Sequence, residues 1–229
     1  MDNSSSQFFK LKNNLDTNIY SMSEFKGWNG LVLINLSLSK NTSIKNDSIY
    51  SENFNISEKE KIFVLVKGKA EFLLDNKCHT MEAFDAINLF SKNLKYEIKC
   101  KEDSQFFLIS AENLTPIKKN AYFFNFKKDI VPNDIWGGQC ISRVFFGDSL
   151  NLVLFDLKSG FKFHDEGHKN EQLTWVIEGD MDFYVNKLKN KLSPGSGVDI
   201  ASFDVHGGIS NGAVGFDAFY PKRKEKIYK

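Results

Sequence analysis

Three of the four histidines in this chain, His164, His168 and His206, fall in the segment from Gly160 to His206, which reads GFKFHDEGHKNEQLTWVIEG, a short hairpin, then SPGSGVDIASFDVH. If Gln172 to Ile177 is a strand, alternate side chains share a face. Gln172, Thr174 and Val176 then point one way, and Leu173, Trp175 and Ile177 the other. His168 just upstream and His206 on a returning strand can meet Gln172 on one inner wall. Two imidazoles with oxygen ligands suit one divalent transition metal, of which Fe, Mn, Ni, Co and Zn are the candidates.

Such an ion can polarise a carbonyl while a nearby base takes a proton from the adjacent carbon. Glu166 is the best placed carboxylate for that base. Tyr184, next to Phe183, is a candidate proton donor. Arg143 and Lys162 could hold a substrate carboxylate, and Thr174, on the face of Gln172, is a further substrate contact. Only Arg143 and Arg223 are arginines in a lysine-rich chain, so a planar fork for a carboxylate is scarce. His79 lies in the hairpin DNKCHT with no partner at ligand spacing and is expected to be exposed.

The elements that must position these residues are written twice. The run IFVLVKGKAEFLLDNKCHTMEAFDAINLF from Ile62 lies without a gap on LTWVIEGDMDFYVNKLKNKLSPGSGVDIASF from Leu173. Gly68 falls on Gly179, Phe72 on Phe183, Ile87 on Val198 and Leu89 on Ile200. Upstream, LVLINL from Leu31 matches LVLFDL from Leu152, and the polar stretch SLSKNTSIKNDSIYSEN reads as a long loop in the first half. Both halves are short runs of Val, Ile, Leu and Phe between Gly, Asn, Asp, Lys or Pro turn signals, with no helical period. The prediction is an all-β chain of two jelly-roll barrels. The boundary is expected near Leu114 to Asn120, giving an N-terminal barrel over 1–117 and a C-terminal barrel over 118–229.

Composition excludes several function classes. With 229 residues, 41% of them hydrophobic, the chain can form one large or two small cores. Thirty basic residues against 29 acidic ones leave a net charge of +1, so no overall field draws nucleic acid or a membrane. The basic tail KRKEKIYK, broken by Glu225, reads as a solvated end. Cys78, Cys100 and Cys140 are odd in number and form no CxxC pair, which fits a reduced, cytoplasmic setting. The start MDNSSSQFFK lacks the pattern of a secretory signal, and no apolar run is long enough to span a bilayer.

The C-terminal half resembles the cupin superfamily, and the duplication resembles the bicupins. Counting back from Gly179 puts Gln172 on the family's acidic ligand, His168 on its second histidine and Glu166 on its first. In the second motif, counting back from His206 puts Gly195 on the opening glycine, Ala201 on the proline and Phe203 on the second glycine. The spacing agrees better than the residues do. A Gln at the acidic position resembles the cupins typified by the pectin-degradation uronate-processing protein and the bacilysin-pathway bicupin isomerase. Members of that group tend to end in Asp-x-Phe-x-Pro-x-Arg, as in Asp217-Ala-Phe219-Tyr-Pro221-Lys-Arg223 here.

The resemblance implies two tandem double-stranded β-helix barrels and a metal held by His168, Gln172 and His206. Glu166, which keeps the register, or His164 supplies the fourth ligand. In the first half the matching positions are Asn55, Ser57, Lys61 and Lys95, and a protonated lysine has no lone pair to give a metal. The N-terminal barrel is thus expected to be structural. The implied activity is isomerisation, tautomerisation or epimerisation of a small keto sugar or keto acid. Lyase chemistry, an Fe(II) dioxygenase and a non-catalytic small-molecule binder are the alternatives, and the family's habits suggest a homodimer.

Overall fold

The computed structural model describes residues 5–11, 15–16, 20–45, 59–89, 95–112 and 121–223, and these form strands and turns without a helix. Alternation of apolar and polar residues sets the pattern. Along Ala70–Leu74 and Tyr96–Cys100, every second side chain is buried and those between are half-buried, as in sheets with one face on a core. The chain clusters into two units, one of Lys12–Phe25 and Val32–Asp129, the other of Met1–Leu11, Lys26–Leu31 and Ile130–Lys229. The boundary expected at 114–120 lies outside the described residues.

The first of these units pairs two sheets over an apolar core. One has four strands, with Tyr96–Cys100 between Ser43–Lys45 and Ala70–Leu74, and the other has seven. The stretch expected to be a long loop is therefore broken by a strand at Ser43–Lys45, because Ile44 is buried against the core while its neighbours face out. His79 is only partly exposed, since its ring stacks on Phe123 with centroids 3.6 Å apart. Asn55 and Ser57 fall outside the described residues, and Lys95 is exposed.

The internal repeat is visible in the strand register. Lys61 pairs with Leu89 and Phe63 with Ile87, and the sequence-matched residues pair identically: Gln172 with Ile200 and Thr174 with Val198. Gly68 and Gly179 both take the left-handed backbone region, at φ 91° and 68°. The interiors differ in content. In the first half Phe63, Phe72 and Tyr96 pack ring against ring, with centroid separations of 5.6, 5.4 and 5.1 Å. Their counterparts are Thr174, Phe183 and Gly207, so the second half trades two of three aromatic plugs for a hydroxyl and a bare backbone.

In the other unit one sheet curls around the site. Its strands run in the order Gln7–Lys10, Ser196–Ile200, Glu171–Val185, His206–Tyr220, Asn151–Leu157, Cys140–Phe146 and Asn133–Ile135. Lys162–Asp165 adds to His206–Tyr220, and Leu188–Leu192 adds to Glu171–Val185. The long strand Glu171–Val185 breaks register against His206–Tyr220 between Val176 and Glu178 and between Gly179 and Met181. Such bulges bend a strand and let one sheet close on itself.

Two fully buried carboxyl groups fasten an N-terminal segment to this unit. Glu171 accepts the N–H groups of Asn29 and Leu31 at 3.1 and 3.2 Å, and Asp199 accepts that of Trp28 at 3.2 Å. Burial pushes the Glu171 carboxyl up to about 7 and that of Asp199, which also faces Glu171, up to about 8.

Candidate functional site

Side-chain alternation along Lys162–Asp165 decides which carboxylate meets the imidazoles. Lys162 and His164 are exposed, whereas Phe163 and Asp165 are half-buried. Asp165 pairs across the sheet with His206. Donor atoms of Asp165, His168 and His206 lie within 4.8 Å of one another. Gly167, between Asp165 and His168, has φ 98°, and a Cβ there would come 2.6 Å from the backbone oxygen of Phe203. The Phe203 N–H in turn donates to the His168 carbonyl at 2.7 Å, tying the two ligand-bearing loops together.

Gln172 completes the inner wall. Its Oε1 stands 2.9 Å from His168 Nε2. Its Nε2 donates to Thr174 Oγ1 at 2.9 Å and to Asp217 Oδ1 at 3.2 Å, and the Thr174 hydroxyl donates to the same Asp217 oxygen at 2.6 Å. These bonds set the amide with its nitrogen outward from the cluster and its carbonyl oxygen toward it. They also explain the amide: a Glu at this position would turn an acceptor toward the acceptor Asp217. The motif ending the chain has matching uses. Asp217 orients Gln172, the Phe219 ring packs edge-on to His168 at 5.4 Å, and Arg223 places both terminal nitrogens 3.3 Å from Asp165 Oδ2.

Charge states suit a cation. Burial pulls the His206 imidazole down to about 4, and burial with the Arg223 charge lowers His168, so both rings are neutral at pH 7. His206 Nδ1 faces the Asp204 carbonyl at 2.8 Å and must donate to it, which leaves the lone pair on Nε2. Burial alone would raise the Asp165 carboxyl, but His206, Arg223 and the Gly167 N–H hold it below its usual value. Two donors about 2.1 Å from one ion at right angles stand on the order of 3 Å apart. The Gln172–His168 separation of 2.9 Å meets that condition.

The remaining expected residues stand outside the cluster, three of them still on the cavity wall. Neither candidate for the fourth ligand joins the cluster. His164 Nε2 faces Glu166 Oε1 at 2.9 Å and its Nδ1 faces the Tyr184 hydroxyl at 2.5 Å, while the Glu166 side chain is 85% exposed. Asp165 is the carboxylate that stands with the two imidazoles. Reading strand alternation across the His-Asp-Glu run, rather than the family's spacing alone, would have found it. Thr174 stands behind Gln172 rather than facing the cavity, and Arg143, on Cys140–Phe146, is not among the residues lining it. Lys162, His164 and Glu166 do line it. The cavity measures about 740 Å³, and the cluster forms part of its wall.

No family model and no curated protein matches the chain. Solved structures do. The chain is similar to protein Ylba from E. coli at 12% identity, with 98% of this chain and 94% of that one covered and a TM-score of 0.77. A cupin 2 conserved barrel domain protein from Leptotrichia buccalis aligns at 13% identity over 90% of this chain and 91% of its own, with a TM-score of 0.62. An oxalate decarboxylase from Lactobacillus farciminis, in a formate complex, aligns at 10% identity over 93% and 86%, with a TM-score of 0.71. Identities this low speak for architecture alone, and with the repeated strand register they establish that this chain has the bicupin fold.

Proposed function

We propose that this bicupin is a metal-dependent enzyme that moves a proton at the carbon beside the carbonyl of a small keto acid or keto sugar, as an isomerase, tautomerase or epimerase. One observation carries the reading: Asp165, His168, His206 and the Gln172 carbonyl oxygen converge on the wall of a cavity large enough for a small molecule. These four residues would hold the ion. When bound there, a divalent ion supplies Lewis acidity toward a carbonyl oxygen. Arg223 and Asp217 hold Asp165 and Gln172 in place, and the neutral imidazoles keep their lone pairs for binding.

Proton movement falls to the rim. Glu166 and His164 line the cavity, Tyr184 is not among its lining residues, and the three form one hydrogen-bonded line with His164 between the carboxylate and the phenol. In this arrangement Glu166 accepts a proton from the substrate carbon, and His164 links that carboxylate to the Tyr184 hydroxyl. Lys162 on the same rim offers charge to a substrate carboxylate. The chemistry needs no redox change, which separates it from oxygen activation.

The test is metal analysis followed by proton exchange. Protein purified without chelator should carry about one transition metal per chain, lost in His206→Ala. The loaded protein should exchange the hydrogen beside the carbonyl of a 2-oxo acid for solvent deuterium, read by NMR without O₂. Exchange that is equal in the metal-free variant, or turnover that needs O₂, would overturn the proposal.

A further inference from the structure

Four aromatic side chains form one wall of the cavity, and among these four the indole N–H of Trp136 is the one hydrogen-bonding group. Starting from the exposed Trp136, the rings follow one another, Trp136 packing on Phe161 at 5.1 Å, Phe161 on Phe163 at 6.2 Å and Phe163 on Phe183 at 5.8 Å. Phe183 then lies nearly parallel to the His206 ring at 6.3 Å. The ring series is therefore continuous from solvent to the candidate metal centre. Charged groups stand elsewhere, with Lys162 and Lys169 at the rim and Arg223 beside Asp165.

The outer ring of the series is set unusually. Trp136 is 48% exposed and has φ 63°, followed by Gly137 and Gly138 at 64° and 83°. Bulky residues rarely adopt this backbone conformation. The Asp134 side chain fixes the turn by accepting the Gly138 N–H at 2.5 Å. A strained turn thus keeps an indole in water at the end of an aromatic wall.

Sugar hydroxyls laid on Phe161, Phe163 and Phe183 would lose water and find no side-chain partner there, which is unfavourable. A methylene chain loses nothing there and gains burial. We infer that the substrate is a 2-oxo acid with an apolar tail, laid along Phe183, Phe163 and Phe161 with its far end on Trp136, and that Trp136 sets the preferred tail length. This rests on the proposed reaction for the position of the carbonyl head, but the wall itself can be tested without turnover.

The test is calorimetric titration of metal-loaded protein with pyruvate, 2-oxohexanoate, 2-oxooctanoate and octanoate. Affinity should tighten about fourfold for each added methylene. Trp136→Gly, compatible with the left-handed turn, should cost 2-oxooctanoate about tenfold and leave pyruvate unchanged, and Trp136→Phe should keep most of the gain. Equal affinities for all three 2-oxo acids, or a Trp136→Gly loss shared by pyruvate, would overturn the inference while leaving the proposed reaction in place. If octanoate binds as tightly as 2-oxooctanoate and the gain still needs Trp136, the wall stands as a tail site and the carbonyl-directed reading falls. Absence of binding by every acid overturns the inference together with the keto-acid form of the proposed reaction.

Discussion

Thr174→Val isolates the residue that orients Gln172 while leaving every proposed ligand in place. Valine has nearly the same shape, so the buried volume is kept and only Oγ1 is lost. That oxygen makes two bonds in the structure, accepting from Gln172 Nε2 at 2.9 Å and donating to Asp217 at 2.6 Å. Removing the partner of a buried polar group costs about 1–3 kcal/mol, so the metal-free protein should lose that much in urea unfolding. Gln172 then keeps the 3.2 Å bond to Asp217 as the one bond of its amide nitrogen, with its Oε1 still 2.9 Å from His168 Nε2. Loss of such outer support lowers metal affinity by about 10–100-fold, equivalent to roughly 1.4–2.7 kcal/mol. Competition with a chromophoric chelator measures it at fixed pH. If stability falls while metal affinity stays at the wild-type value, Gln172 does not need Thr174 to face the ion, and the account of the amide is wrong.

Other perturbations probe the supports around the site. Phe63→Ala, in the filled first-half interior, should cost about 3–5 kcal/mol of stability in that half and leave metal content at the wild-type level, read by elemental analysis. Gly167→Ala meets a positive φ and a close backbone oxygen, so thermal unfolding should show a loss of about 1–3 kcal/mol together with weaker metal binding. For Asp199 the sign runs through protons. Its carboxyl is raised to about 8, so between about pH 4 and pH 8 the folded state holds a proton that the unfolded chain has released, and stability falls as pH rises. Asp199→Asn should therefore be more stable than wild type at pH 8 by more than about 1.4 kcal/mol, the free energy of a tenfold change in proton affinity, with the difference vanishing below pH 4 in denaturant titrations. Arg223→Lys keeps the charge but not the fork and should weaken metal binding severalfold without changing the fold, checked by the same chelator competition and by circular dichroism.

The parts of the molecule readable from the chain are those fixed by local alternation and repetition. Gly68 with Gly179, and Phe72 with Phe183, could be matched because a duplicated strand keeps its turn glycine and its inward ring, and the paired registers of Lys61 and Gln172 follow from that match. His168 and His206 could be singled out from spacing because one lies in the loop just before Glu171–Val185 and the other opens His206–Tyr220, the two strands that pair along their length. The carboxylate was not. His164, Asp165 and Glu166 are adjacent polar residues, and family spacing selects Glu166. The short strand Lys162–Asp165 ends one residue earlier and turns Asp165 inward instead. The uses of Asp217 and Arg223 depend on contacts 43 and 58 residues apart in sequence, which no periodicity carries. The same holds for Lys26–Leu31. The buried carboxyls of Glu171 and Asp199 draw this segment across more than 140 residues of chain, and nothing in its own composition announces that destination. Alternation finds faces, whereas the polar groups that hold a metal site in place are specified by closure of the barrel, and closure brings together strand ends that are remote in sequence.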